Sequence, residues 1–177
     1  MARTKAPVAI VTGAAHGIGR AISRQLLETG WRVGVVDLPG SRLKRSYNRY
    51  GRKVVPIEGD VTDEETVRRA VGAVTDKFNR LDALVSNAGI MVRKPLRLLT
   101  LAEWRKVLDT NLTATFLLAR AAERRLRAAK GTIVTIASTR ALMSEPNTES
   151  YSASKGGLLA LPTPWRSALA PMSGSIV

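Results

Sequence analysis

The sequence contains no cysteine and only one histidine, His16, among its 177 residues. Without cysteine it can form neither disulfide bonds nor thiolate metal sites, and one imidazole cannot make a cluster of histidine ligands. We therefore expect no metal centre. The apolar stretch before Gly13 is too short for the hydrophobic part of a signal peptide or for a membrane span. These absences favour a cytoplasmic protein that does not bind membranes.

Acidic residues are also scarce, because 14 Asp and Glu stand against 28 Lys and Arg and leave a net charge of +14. Such an excess is compatible with binding to nucleic acids or anionic surfaces. The basic residues are scattered along the chain, however, and no aromatic residues are interleaved with them. The pattern therefore favours solvated helix faces over a nucleic-acid site, and it is also compatible with attraction of a phosphate-bearing cofactor.

Short β-branched runs alternate with amphipathic stretches, which is typical of βαβ units and a parallel sheet. We predict an α/β fold with a doubly wound parallel sheet and helices on both faces. The predicted strands are 8–11, 32–36, 53–57, 81–85 and 132–136. The predicted helices are 17–29, one that a capping box of Thr62 and Glu65 opens toward Phe78, one or two within 101–129 that bury Trp104, Leu108, Leu112, Phe116 and Ala119, and 151–161.

A glycine-rich segment joins the first predicted strand to the first predicted helix. Glycines let the chain turn tightly and let backbone N–H groups approach a pyrophosphate, and a helix N-terminus adds partial positive charge. The strand before it and the helix after it favour dinucleotide binding over an ordinary turn. The predicted cofactor contacts in this segment are Gly13, His16, Gly17, Ile18 and Gly19.

Asp37 ends the second predicted strand. A carboxylate there can accept hydrogen bonds from the adenosine ribose and would repel a 2′-phosphate, which favours NAD. Arg42 and Lys44 lie nearby and would favour the phosphate, so NADP is kept as the alternative cofactor. A solvated carboxylate at the strand end is the other interpretation of Asp37.

Tyr151 and Lys155 stand four residues apart on a predicted helix and therefore share one face. A tyrosine phenol ordinarily has a pKa of about 10, and a neighbouring cation favours the phenolate. Such a pair could exchange a proton with a carbonyl or an alcohol while a nicotinamide exchanges a hydride. The spacing alone is common by chance.

Further polar residues follow predicted strands, where the ligand crevice of a parallel sheet is expected. The Ser138 hydroxyl could hydrogen-bond a substrate carbonyl. Asn111 lies inside a predicted helix, where a solvated position is the alternative. The residues that follow strands are Ser138 after the fifth, Asn87, Ala88 and Gly89 after the fourth, and Asp60 and Val61 after the third.

In order and approximate spacing, the segments TGAAHGIG, GDV, NAG, NLTATF, IAS and YSASK resemble those of the short-chain dehydrogenase/reductase family. The resemblance covers residues 7–161. It implies a Rossmann-like fold, a homo-oligomer, and an NAD(P)-dependent oxidoreductase that interconverts a small carbonyl compound and a secondary alcohol. The roles that it implies are general acid/base for Tyr151, binding of the nicotinamide ribose for Lys155, carbonyl orientation for Ser138, support of a relay water for Asn111, adenine contacts for Asp60 and Val61, and lining of the cofactor cleft for Asn87, Ala88 and Gly89.

The family pattern is lost beyond Leu161. Pro162 and Pro164 would interrupt the helix that carries Tyr151, and the later strands of the family are not recognisable. Restoring one nucleotide after the Leu161 codon can convert residues 162–177 into THALAVSLGPDVRVNC, which continues the helix and enters a strand. We interpret 1–161 as an incomplete dinucleotide-binding and catalytic domain without its C-terminal strands, and 162–177 as a frameshift product.

This interpretation predicts an uncovered sheet edge, impaired oligomer assembly, and a chain of low stability with weak or no activity. A catalytically inactive dinucleotide-binding fragment is therefore the alternative to an enzyme. A basic nucleic-acid-binding protein is a third interpretation, but it leaves the set of Ser138, Tyr151 and Lys155 unexplained. Resequencing of the locus tests the frameshift, because an intact reading frame there would exclude it.

Overall fold

Five parallel strands form one sheet within residues 6–161, which are the residues that the computed structural model describes. The segment 162–177, and with it the predicted frameshift product, lies outside the described residues. The strands are β1 (Val8–Thr12), β2 (Arg32–Asp37), β3 (Val54–Glu58), β4 (Ala83–Ser86) and β5 (Thr132–Thr135). The predicted parallel sheet is confirmed, and strand ends differ from the predicted ones by one or two residues, as assignments of strand ends commonly do.

The strand order is β3-β2-β1-β4-β5. The chain therefore adds β2 and β3 on one side of β1 and then β4 and β5 on the other side. Val11 on β1 pairs with Val35 of β2 and with Val85 of β4. In such sheets the reversal of strand order opens a crevice at the carboxyl ends of the two central strands, which here are β1 and β4.

Helices cover both faces of the sheet, as predicted. Val8 and Ile10 pack into one core with the helices of residues 64–78 and 114–129, whereas Val11 packs into a second core with the helices of residues 17–28 and 43–47. Alternate residues of a strand face opposite sides of the sheet. Within residues 6–161, no helix is long and apolar enough to cross a membrane. The helices of the described residues are α1 (Gly17–Glu28), α2 (Leu43–Tyr47), α3 (Glu64–Phe78), α4 (Leu101–Leu108), α5 (Ala114–Ala129) and α6 (Glu149–Ala160).

The start of α3 differs from the predicted capping box. Asp63, rather than Thr62, precedes the helix, and its carboxylate accepts hydrogen bonds from the backbone N–H groups of Glu65 and Thr66. A carboxylate can accept from two N–H groups at once and also favours the positive end of the helix. Thr62 instead donates its backbone N–H to Asp60 at 2.9 Å.

The predicted buried stripe between residues 101 and 129 was wrong at Phe116, which is 41% exposed. The predicted positions 104, 108, 112 and 116 follow one another at intervals of four, and such a row drifts around a helix that has 3.6 residues per turn. A π-helical turn, Asp109–Thr113, joins α4 to α5 within this stretch. The buried face of the described helices runs instead through Val107, Asn111, Leu118, Ala122 and Leu126.

Close packing of α3 against β2 predicts opposite effects for two glycines. A Cβ at Gly34 on β2 would overlap Cγ2 of the buried Val74, whereas a Cβ at Gly72 on α3 would meet nothing within 4 Å. We expect Gly34→Ala to lower the free energy of unfolding by about 1–3 kcal/mol. Gly72→Ala should raise it by about 0.5–1 kcal/mol, because alanine favours the helix. Urea denaturation of both variants measures this, and equal effects would contradict the described packing.

Candidate functional site

The glycine-rich turn after β1 has a backbone conformation that favours glycine. Gly13 and Gly17 adopt φ angles of +64° and +49°, in the left-handed region. A Cβ at Gly19 would overlap the Gly13 carbonyl oxygen, whereas a Cβ at Gly17 would meet nothing within 4 Å. The turn is therefore closed on its inner side and open at Gly17, where a ligand can approach the backbone.

The N-terminus of α1 is left without a side-chain cap. His16 occupies the cap position but accepts no hydrogen bond from the helix, and the first turn contains no acidic residue. His16 and Ile18 point to solvent, and Ile18 is 60% exposed. The first N–H groups of the helix, with their partial positive charge, are thus available to an anion such as a phosphate.

Asn87 holds the end of β4 against the start of this turn. Its side-chain Nδ2 donates to the carbonyl oxygens of Thr12, at 2.9 Å, and Gly13, at 3.3 Å. In turn, the Thr12 hydroxyl accepts hydrogen bonds from the backbone N–H groups of Asn87 and Ala88, each at 3.1 Å. Residues predicted to line a cofactor cleft after β1 and β4 are therefore in direct contact.

The two acidic residues predicted to contact adenosine both bind backbone groups. One oxygen of the half-buried Asp37 accepts the Ala15 N–H at 2.7 Å, and the other accepts the Leu38 N–H at 2.8 Å. Asp60 is exposed after β3, while its neighbour Val61 is buried in the core. Asp37 thus joins the end of β2 to the glycine-rich turn, and each of its oxygens keeps a free lone pair.

Asn111 is buried in the π-helical turn and joins three parts of the site. Its Oδ1 accepts the Ile90 N–H at 2.8 Å, and its Nδ2 donates to the Ile90 carbonyl at 2.9 Å. Nδ2 also donates to the Ser154 hydroxyl on α6, at 2.9 Å. This amide fixes the loop after Gly89 relative to the helix that carries Tyr151. The solvated position considered for Asn111 is thereby wrong.

Lys155 is 4% exposed, and its Nζ donates to the Ile136 carbonyl at 2.6 Å. The same Nζ lies 5.6 Å from the ring centroid of Tyr151. Within residues 6–161 no carboxylate forms a salt bridge with it. Burial lowers the pKa of the Lys155 ammonium because the charged form loses hydration. A buried cation beside a half-buried phenol is the most chemically distinctive pair in the described chain.

Ser138 precedes the 3-10 turn Thr139–Ala141 and lies three residues beyond the end of β5. Its hydroxyl accepts the Arg140 N–H at 3.2 Å and remains partly exposed. It borders a groove of about 390 Å³ that Leu142 and Leu159 also line. The side chain of Arg140 forms an ion pair with Glu145. Glu145 also binds Arg93, which lies in the loop after β4, at 2.8 Å. The loops that follow β4 and β5 are thereby tied together.

The structure brings most predicted site residues to the carboxyl edge of the sheet. Three residues that belong to this arrangement were not predicted. Thr12 pairs with Asn87, Ser154 with Asn111, and the buried Tyr47 donates its hydroxyl to the Ala14 carbonyl at 2.7 Å. Thr12 and Ser154 lie inside the segments TGAAHGIG and YSASK, so their polar side chains were a signal that could have identified them, whereas nothing in the sequence marks Tyr47.

The comparisons with known proteins extend over nearly the whole chain. The family model described as short chain dehydrogenase matches residues 7–176, which includes most of the segment beyond Leu161. The chain is 39% identical over 158 residues to an uncharacterized oxidoreductase from Thermotoga maritima, covering 87% of this chain and 62% of that protein. It is 34% identical over 164 residues to a 3-oxoacyl-[acyl-carrier-protein] reductase from Synechocystis, covering 90% and 66%.

Solved structures give the same result. An apo SCOR enzyme from Clostridium thermocellum matches with a TM-score of 0.86 and 34% sequence identity, over 95% of this chain and 68% of that chain. The chain spans less than two thirds of the length of the curated relatives named above. The family model, the relatives and the fold agree. This chain belongs to the short chain dehydrogenase family.

Proposed function

We propose that the protein is an NAD(P)-dependent oxidoreductase that interconverts a carbonyl compound and a secondary alcohol. The pairing of Tyr151 with the buried Lys155 carries this proposal. Burying a cation without a carboxylate partner costs folding free energy, so its position is better explained by chemistry than by stability. The name of the Synechocystis relative, a reductase of 3-oxoacyl groups, supports the same class of reaction.

The residues present fit a dinucleotide. The open side of Gly17 and the uncapped start of α1 suit its phosphates, and Asp37 suits its adenosine ribose. We place Asp60 and Val61 at the adenine, Asn87, Ala88 and Gly89 along the cleft, and Lys155 and Tyr151 near the nicotinamide. When bound, the nicotinamide supplies or accepts the hydride.

Tyr151, in the first turn of α6, transfers the proton. In the direction of reduction, the Tyr151 hydroxyl donates its proton to the carbonyl oxygen, and in oxidation its oxygen takes the proton from the alcohol. The partly exposed Ser138 hydroxyl donates a hydrogen bond to the same oxygen and so stabilises the charge that develops there. The Lys155 ammonium favours the phenolate form of Tyr151, and Asn111 supports the replacement of the proton through a water.

We propose NAD as the preferred cofactor. The Asp37 carboxylate stands at the end of β2, where it would accept ribose hydroxyls and repel a 2′-phosphate. Its two bonds to backbone N–H groups hold it in place there. The exposed Arg42, five residues after Asp37 in the sequence, could attract a 2′-phosphate. NADP is therefore kept as the second choice.

The general acid/base is tested by Tyr151→Phe. We expect kcat to fall by at least about 100-fold, because the proton donor is lost, while the Kd for NADH changes less than about two-fold. Tyr50→Phe is the matched control, since among the described residues its hydroxyl hydrogen-bonds only to Arg49 and Glu28, at the surface. Steady-state turnover with a panel of ketones measures the effect.

Retention of more than a tenth of the activity by Tyr151→Phe would contradict the assigned role. If the unaltered chain binds NADH but turns over no ketone or alcohol, the inactive dinucleotide-binding fragment is the better description.

The phosphate site is tested by Gly17→Ala with Gly51→Ala as its control. Both glycines have φ near +50°, and a Cβ at either meets nothing within 4 Å. Each substitution strains a backbone with positive φ, by about 1–2 kcal/mol at Gly17 and by at least as much at Gly51, whose ψ of −125° lies outside the left-handed helical region. Only Gly17→Ala places a methyl group where the phosphates would bind, so we expect its Kd for NADH to rise at least about ten-fold. Equal affinities of the two variants in a fluorescence titration would exclude a phosphate site at Gly17.

A further inference from the structure

A buried tyrosine from the second βα unit reaches the glycine-rich turn. Tyr47 ends α2, is 2% exposed, and donates its hydroxyl to the carbonyl oxygen of Ala14 at 2.7 Å. Ala14 lies between Gly13 and Gly17, which both have left-handed backbones. A residue 33 positions later in the sequence thereby fixes a peptide group in the middle of the turn.

Two other bonds from the same unit reach the same short stretch. The Ala14 N–H donates to the Val36 carbonyl at 3.1 Å, and the Ala15 N–H donates to Asp37 at 2.7 Å. The peptide between Ala14 and Ala15 is therefore held on both sides, by Asp37 at its N–H and by Tyr47 at its carbonyl. Because glycines on either side give little rigidity, these contacts set the direction of the peptide.

The position of the Tyr47 hydroxyl is itself well defined. The ring packs into the second core with Val11 and Leu43, so the hydroxyl cannot turn away without disturbing the core. Burial raises the pKa of the Tyr47 phenol, which keeps the hydroxyl protonated and able to donate. Its removal would leave the carbonyl oxygen of the buried Ala14 without its partner, which is costly in apolar surroundings.

We propose that Tyr47 is a positioning residue for the dinucleotide, in that it orients the turn whose N–H groups bind the phosphates. This inference rests on the proposed function. Tyr47 and Asp37 bind the same peptide of the turn, in what we propose as the adenosine half of the cleft, whereas Tyr151 and Lys155 act at the other half. Its loss should therefore weaken cofactor binding and leave the chemical step unchanged.

The test is Tyr47→Phe, which keeps the ring and removes only the hydroxyl, beside Tyr50→Phe as the matched control. We expect the Kd for NADH to rise about five-fold in Tyr47→Phe, the change that the loss of one buried hydrogen bond typically gives, and to stay within about 1.5-fold in Tyr50→Phe. Amide hydrogen exchange of residues 14–19 should accelerate only in Tyr47→Phe. Any turnover at saturating NADH should stay within about two-fold.

An unchanged Kd in Tyr47→Phe would overturn the proposal, even if its melting temperature falls, because that outcome shows a purely structural role. If Tyr47→Phe does not fold, exchange in the unaltered protein decides: protection of the Ala14 and Ala15 amides must rise with NADH, and unchanged protection overturns the proposal. If the unaltered chain does not bind NADH, the proposed function fails, while exchange of the unliganded variants still shows whether Tyr47 holds the turn.

Discussion

The bond from the Asn87 carboxamide to the Thr12 carbonyl, 2.9 Å long, joins the ends of the two central strands. These strands separate where the order of the sheet reverses, and a crevice opens there. The same carboxamide would lie only 2.8 Å and 2.5 Å from a Cβ at Gly13 and at Gly19. This contact therefore helps to close the inner side of the turn, together with the positive φ of Gly13 and the Gly13 carbonyl oxygen that faces Gly19.

The opposite half of the site depends on the π-helical turn between α4 and α5. Asn111 lies buried in this turn, and its side-chain amide binds both Ile90 and Ser154. The loop after β4 and the helix α6 are thus held in a fixed relative position. Lys155, on α6, is buried against the segment that follows β5. Burying this cation costs stability, which is the cost that active sites commonly show.

Alternating β-branched runs were enough to predict the parallel sheet, because strands buried on both faces are apolar throughout. The position of the glycine-rich turn, of Asn87 and of Lys155 followed from motifs at strand and helix ends. The prediction that Phe116 is buried failed because positions spaced strictly four apart drift around a helix of 3.6 residues per turn. Helix α2 and the contact of Tyr47 with Ala14 could not be predicted, because five residues are too few to show a helical period and the partner of Tyr47 is distant in the sequence.

The most direct test of this account is a titration of the 177-residue chain with NADH and then with NADPH, followed by intrinsic tryptophan fluorescence. We expect saturable binding of NADH and a several-fold weaker binding of NADPH, because we place the cofactor in the crevice between β1 and β4 with its adenosine ribose at Asp37. Failure of both nucleotides to bind would contradict the dinucleotide site itself. Tighter binding of NADPH would contradict the role of Asp37.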